Sequence, residues 1–107
     1  MASTKEYLDF VLEQLSDLEG LTKRAMMGEY LLYCNGKVIG GVYDDRLLLK
    51  PLPSALRLLE AEGIPPQYDI PYPGAKELLI APVDERELLC RLAEAVAEDF
   101  PESKKRG

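Results

Sequence analysis

The sequence predicts an α+β domain: an antiparallel four-stranded sheet covered by helices, in the order α-β-β-β-α-β-α. Three observations carry that reading. Asn35-Gly36 stands between two apolar runs, the strongest short hairpin signal, because a type I′ turn needs positive φ at both central residues. Around it the apolar residues alternate, the period of a strand. Toward both ends of the chain the spacing becomes three and four, the period of an amphipathic helix.

Each element follows in order. Ser3 and Glu6 fit a capping box, and Leu8, Val11, Leu12, Leu15 and Leu18 form the stripe of a first helix that stops at Gly20. A two-residue loop at Asn35-Gly36 pairs Cys34 with Lys37, Leu32 with Ile39 and Tyr30 with Gly41. Asp44-Asp45 closes a second hairpin, pairing Tyr43 with Arg46 and Val42 with Leu47, so a three-stranded meander runs from Gly28 to Lys50. Pro51 and Pro53 end it, and "SALRLLEAEG" reads as a short helix with Gly63 as its stop. "IPPQYDIPYPGA" holds four of the eight prolines and reads as a loop. "KELLIAPV" is the fourth strand. Asp84 and Glu87 fit another capping box, ahead of a last helix with Leu88, Leu89, Leu92, Val96 and Phe100 on one stripe. With no internal repeat, residues 1–100 form one domain, and 101–107 is a polar tail expected to be disordered.

Composition narrows the function. A formal charge of −6 argues against a nucleic-acid backbone or an anionic membrane as partner, since both need clustered cations. The basic cluster Lys104, Lys105 and Arg106 is too short to reverse that. The N-terminus enters a helical pattern directly, without a signal peptide or membrane span, and Cys34 and Cys90 read as reduced thiols, which together place the chain in the cytoplasm.

Alternation along the strands sorts the side chains into two faces. Leu31, Tyr33, Val38, Val42, Leu47 and Leu49 form a nearly all-apolar set that should meet the helices, with Glu29 at its edge. Tyr30, Leu32, Ile39, Tyr43 and Leu48, with Cys34, form the other set, interspersed with the cations Lys37, Arg46 and Lys50. A solvated face usually carries Thr, Lys, Glu and Ser, so this mixed set either lies under the Pro-rich loop or a helix, or meets a partner. Gly40-Gly41 marks a bulge or a close approach of a ring, such as Tyr30 crossing the strand.

Catalytic chemistry is sparse. The chain contains no histidine, which removes the commonest acid/base group and metal ligand at neutral pH. Two cysteines alone make no zinc site, and Cys34 beside Lys37 is better explained as a small buried hydrophobe than as a nucleophile. Asp44-Asp45 reads as turn chemistry. No cofactor or metal is implied, and enzymatic activity is not expected.

The stretch "RAMMGEYLLYCNGKVIGGVYDDRLLLKP" resembles the N-terminal domain of the TfoX/Sxy family, named for a regulator of natural competence in bacteria. Arg24, Met26, Gly28, Tyr33, Gly36, Leu47, Leu49 and Lys50 match its pattern. Met27 departs from a common aromatic and Glu29 from a common second glycine, as in a short branch consisting of this domain alone. The resemblance implies a secretion-chaperone-like α+β fold, a sheet able to dimerise, and a role in transcriptional control through protein contacts. Together these give a non-enzymatic interaction domain that binds a protein partner or a second copy. The expected face is Tyr30, Leu32, Ile39, Tyr43 and Leu48, with Lys37, Arg46 and Lys50 attracting an acidic partner. The rival is a small-ligand sensor with a pocket between the Pro-rich loop and the sheet, near Tyr68 and Tyr72.

Overall fold

The computed structural model describes residues 3–99. The elements run α1 (Lys5–Gln14), β1 (Leu21–Met26), β2 (Glu29–Cys34), β3 (Lys37–Val42), β4 (Leu47–Leu49), α2 (Pro53–Ala61), β5 (Tyr68–Asp69), β6 (Leu78–Ile80) and α3 (Arg86–Asp99). The strands form one antiparallel sheet in the order β1-β2-β3-β4-β6-β5. The mixed α+β class is as expected, but the sheet has six strands, not four. β1 was missed because "LTKRAM" does not alternate: it lies at the sheet edge and all but Leu21 is exposed. β5 was missed because it is two residues long inside the proline-rich segment. The expected tail 101–107 and Phe100 lie outside the described residues.

Three successive hairpins turn through two-residue loops with positive φ at both positions. These are Met27-Gly28 (52° and 86°), Asn35-Gly36 (53° and 82°) and Asp44-Asp45 (51° and 58°). Primed turns match the right-handed twist of the strands they join, so the β1–β4 meander is fixed locally. Met27 is the unusual residue, a fully solvated side chain in a left-handed conformation. Replacing it relieves a local cost of about 1 kcal/mol. Met27→Asn is therefore expected to raise stability by about that amount in denaturant unfolding, and an unchanged midpoint would contradict a strained turn.

The helix ends differ in detail from the capping boxes. Thr4, not Ser3, caps α1, its hydroxyl accepting from the Tyr7 N–H at 3.1 Å. α1 ends at Gln14, short of Gly20. α2 starts on Pro53, whose fixed φ suits a first turn, and Gly63 closes it with φ 73°. α3 begins at Arg86, past Asp84, with the Leu89 N–H on the Glu85 carbonyl at 2.7 Å.

The decisive feature is a bulge. Cys34 pairs with Lys37 as expected, but the register then shifts, so Leu32 faces Gly40 and Tyr30 faces Val42. Ile39 is the extra residue. Because strand side chains alternate, one inserted residue exchanges the faces on either side of it. Leu32, Cys34, Ile39, Val42, Leu47, Leu49 and Leu79 consequently share one buried core with Leu8, Val11 and Leu15 of α1, Ala55 and Leu59 of α2, and Leu89, Leu92 and Val96 of α3. All three helices thus lie on one side of the sheet.

The helix-free face of the sheet

The eight residues expected to form one contact surface are divided between the two faces. Leu32 and Ile39 are fully buried beneath the helices, and Tyr30 packs against that core. Leu48 and Tyr43 are also buried, but outside the helix-side core, on the opposite face. Arg46 is held by its neighbours, and Lys37 and Lys50 are half-buried at strand ends. The expected surface is therefore corrected: the parity change at Ile39 puts Leu32 and Ile39 inside. The same change brings Leu31, Tyr33 and Val38, expected in the core, onto the helix-free face, each half-buried.

That face has a closed half and an open half. On the closed half, the Arg46 guanidinium donates to the Asp69 carboxylate at 2.5 Å and to the Ile70 and Pro71 carbonyls at 3.0 and 3.3 Å. These bonds tie the proline-rich segment to the sheet beside Tyr43, and the rings of Tyr43 and Tyr72 meet edge to face at 6.4 Å. Burial, with Tyr72 next to it, pushes the Tyr43 phenol above its ordinary value. Tyr43, not Tyr30, is the ring that lies over a glycine: a Cβ at Gly41 would meet it at 2.8 Å. The proline-rich segment folding over the mixed set was one of the two expected outcomes, and it holds for Tyr43 and Arg46.

The Arg46 hydrogen bond, followed by the Ile70 N–H, holds the Asp69 carboxyl below its ordinary value of 3.8. With the folded value depressed, the tie is fully present above the unfolded carboxylate range and is lost as pH falls through the folded value. Tyrosine fluorescence should report release of the segment below about pH 3.8, and Asp69→Asn should abolish that acid step. An unchanged step in the variant would assign it elsewhere.

On the open half, the rows of the sheet set Arg24 beside Leu31, and Thr22 beside Tyr33 and Val38, with Met26 at the hairpin end. Met26 and Arg24 are exposed, while Leu31, Tyr33 and Val38 are intermediate. The result is a contiguous apolar surface with one cation on its rim. Among the described residues Arg24 has no ion-pair partner.

Glu29, expected at the edge of the core-side set with no partner assigned, opens β2. Its carboxylate accepts from the Ser3 hydroxyl at 2.6 Å, the Ser3 N–H at 3.2 Å and the Asp44 N–H at 3.1 Å. Asp45 accepts from the Thr4 N–H at 2.8 Å and donates its own N–H to the Ser3 hydroxyl at 3.0 Å. This network fastens the start of α1 to two hairpin turns. The only sequence signal for it was an acid following a turn glycine.

The expected ligand pocket is divided. Tyr68 borders a depression with Leu56, Ile64 and Pro66 next to α2, whereas Tyr72 borders a separate cleft with Arg46, Asp69 and Pro71. Both thiols are free; Cys34 donates to the Glu19 carbonyl at 3.4 Å and Cys90 to the Gln14 carbonyl at 3.3 Å. Burial pushes each thiol up, and Glu94 adds to that at Cys34 against the opposing charge of Lys37. A raised pKa disfavours the thiolate a nucleophile needs. Among the described residues no group of three acids or cysteines is placed to hold a metal ion, and no helix is long and apolar enough to cross a membrane.

A layer of three helices on one side of an antiparallel sheet, with the other side half open, defines a two-layer α+β domain. The TfoX N-terminal domain model matches residues 13–76, from within α1 to the segment before β6. An uncharacterized 12.7 kDa protein in the trpE 5′ region of Spirochaeta aurantia is 37% identical over 81 residues, covering 76% of this chain and 67% of that protein. The chain belongs to the TfoX N-terminal domain family.

Proposed function

We propose that the chain is a non-enzymatic interaction module that binds a protein partner through the open half of its helix-free face. Leu31, Tyr33 and Val38 form the centre, and Arg24 and Met26 the rim. One observation carries this reading: apolar side chains that the helices would bury on the other face are left half exposed here. Aromatic and aliphatic anchors with Arg and Met at the margin are the residues that protein interfaces favour. The lack of histidine and the raised thiols support contact over catalysis. The reduced cysteines and acidic composition fit a cytoplasmic regulator, as the family's namesake suggests.

The reading is tested on the partner, once identified and purified, by calorimetric titration against wild type, Tyr33→Asp and Val38→Asp. Each substitution should weaken binding about 30-fold or more, roughly 2 kcal/mol, because a carboxylate at the centre of an apolar contact is desolvated without a counter-ion. Both variants should stay folded, since neither residue reaches the helix-side core. Unchanged affinity in both would overturn the assignment.

A further inference from the structure

The two edges of the sheet are treated differently by the sequence. At one edge, β5 is two residues long, with Pro65 and Pro66 before it and Pro71 after it, which blunts the edge against further pairing. At the other, β1 runs for six residues without proline or bulge, paired in continuous register from Leu21 with Cys34 to Met26 with Glu29. A two-residue loop closes on a hydrogen-bonded pair, here Met26 with Glu29, so Arg24 and Thr22 also bond to β2. The Asn35 N–H on the Gly20 carbonyl at 2.9 Å continues the same alternation. The backbone groups of Leu21, Lys23 and Ala25 therefore point away from the sheet, and among the described residues nothing pairs with them.

We infer that β1 accepts an added strand from an extended acidic segment of a partner protein. This deepens the interaction reading of the same sheet and rests on it. The occupant follows from charge. Lys23 and Arg24 are the cations of the edge, neither has a salt-bridge partner among the described residues, and alternation puts one on each face. Two consecutive carboxylates on an added strand also project to opposite faces, one beside each cation. The same cations disfavour a second copy. Two-fold antiparallel pairing of β1 with itself, in either full-overlap register, sets Lys23 against the other copy's Lys23 or Arg24 against the other copy's Arg24. Main-chain bonds supply affinity in such additions, and the side chains supply the choice of partner.

The test uses the peptide fluorescein-Gly-Thr-Val-Glu-Glu-Val-Thr-amide, titrated with the full chain by anisotropy. Micromolar binding that weakens with salt is expected, with the Lys-Lys version of the peptide at least about tenfold weaker. N-methylating alternate peptide amides should abolish binding in one phase and spare it in the other, because only one edge of the added strand pairs. Lys23→Glu combined with Arg24→Glu should lose binding at least about tenfold with the fold intact. Ala25→Pro removes one outward N–H without touching a β1–β2 bond and should weaken binding comparably. Tyr33→Asp should leave peptide binding unchanged while losing the face partner, so the two sites fail separately. Absence of binding up to about 1 mM, or equal binding of both N-methylated phases, overturns the inference. So does a peptide that shifts the amides of Leu31, Tyr33 and Val38 instead of Leu21, Lys23 and Ala25. A concentration-dependent dimer abolished by Ala25→Pro would overturn it in favour of a second copy.

Discussion

Leu32→Ala is expected to lower the unfolding free energy by about 3 kcal/mol, and Leu31→Ala, one residue earlier, by about 1. The two side chains have the same chemistry and lie on the same strand, so only their surroundings separate them. Leu32 has no exposed surface and belongs to the core shared with α1, α2 and α3, so truncation leaves a cavity that packed helices cannot fill. Leu31 is half-buried on the face without helices, where solvent can reach the space it vacates. The same contrast holds at Ile39, the inserted residue, which is buried, and at Val38 just before it, which is half-buried. Denaturant unfolding of the four alanine variants measures it. Equal losses at Leu31 and Leu32, or a larger one at Leu31, would mean that the bulge at Ile39 is not where the register shift puts it.

Gly40→Ala is expected to be at least as damaging, with a loss of about 3 kcal/mol or failure to fold. A Cβ at position 40 would lie 2.1 Å from the Leu48 carbonyl oxygen and 2.8 Å from the Leu49 Cα. Both are backbone atoms of the paired strand, so relief requires separating β3 from β4 at the centre of the sheet. Gly41→Ala meets the Tyr30 carbonyl oxygen at 2.7 Å and the Tyr43 ring at 2.8 Å, and part of that contact is a side chain able to move. The expected order is Gly40→Ala worse than Gly41→Ala. A Gly40→Ala protein with wild-type stability would show that the strands sit further apart than described.

The hairpins were legible in the sequence because their chemistry is local: Asn35-Gly36 and Asp44-Asp45 can both take positive φ, and the pairings next to those turns hold. The third hairpin was hidden because Met27 is a poor residue for its turn, and β1 beyond it has no alternating pattern to follow. The bulge was hidden for another reason. Gly40-Gly41 signalled an irregularity, but glycines do not declare which neighbour is inserted, and Ile39 is as apolar as a regular strand residue. A single misplaced residue then assigned Leu31, Tyr33 and Val38 to the interior and Leu32 and Ile39 to the surface. That the sheet carries apolar and aromatic side chains on both faces was legible as a class. Their membership was not, because it depends on long-range packing that decides which side the helices cover.

The contact role of the helix-free face is tested most directly by site-specific photocross-linking in the source cell. A benzophenone side chain at position 33 samples the open half of that face. The same group at position 10, on the exposed side of α1, samples the helix layer. The account predicts one discrete cross-linked species at position 33, lost on adding Val38→Asp, and none at position 10. Cross-linking at position 10 alone, or a species at position 33 that survives Val38→Asp, would contradict it.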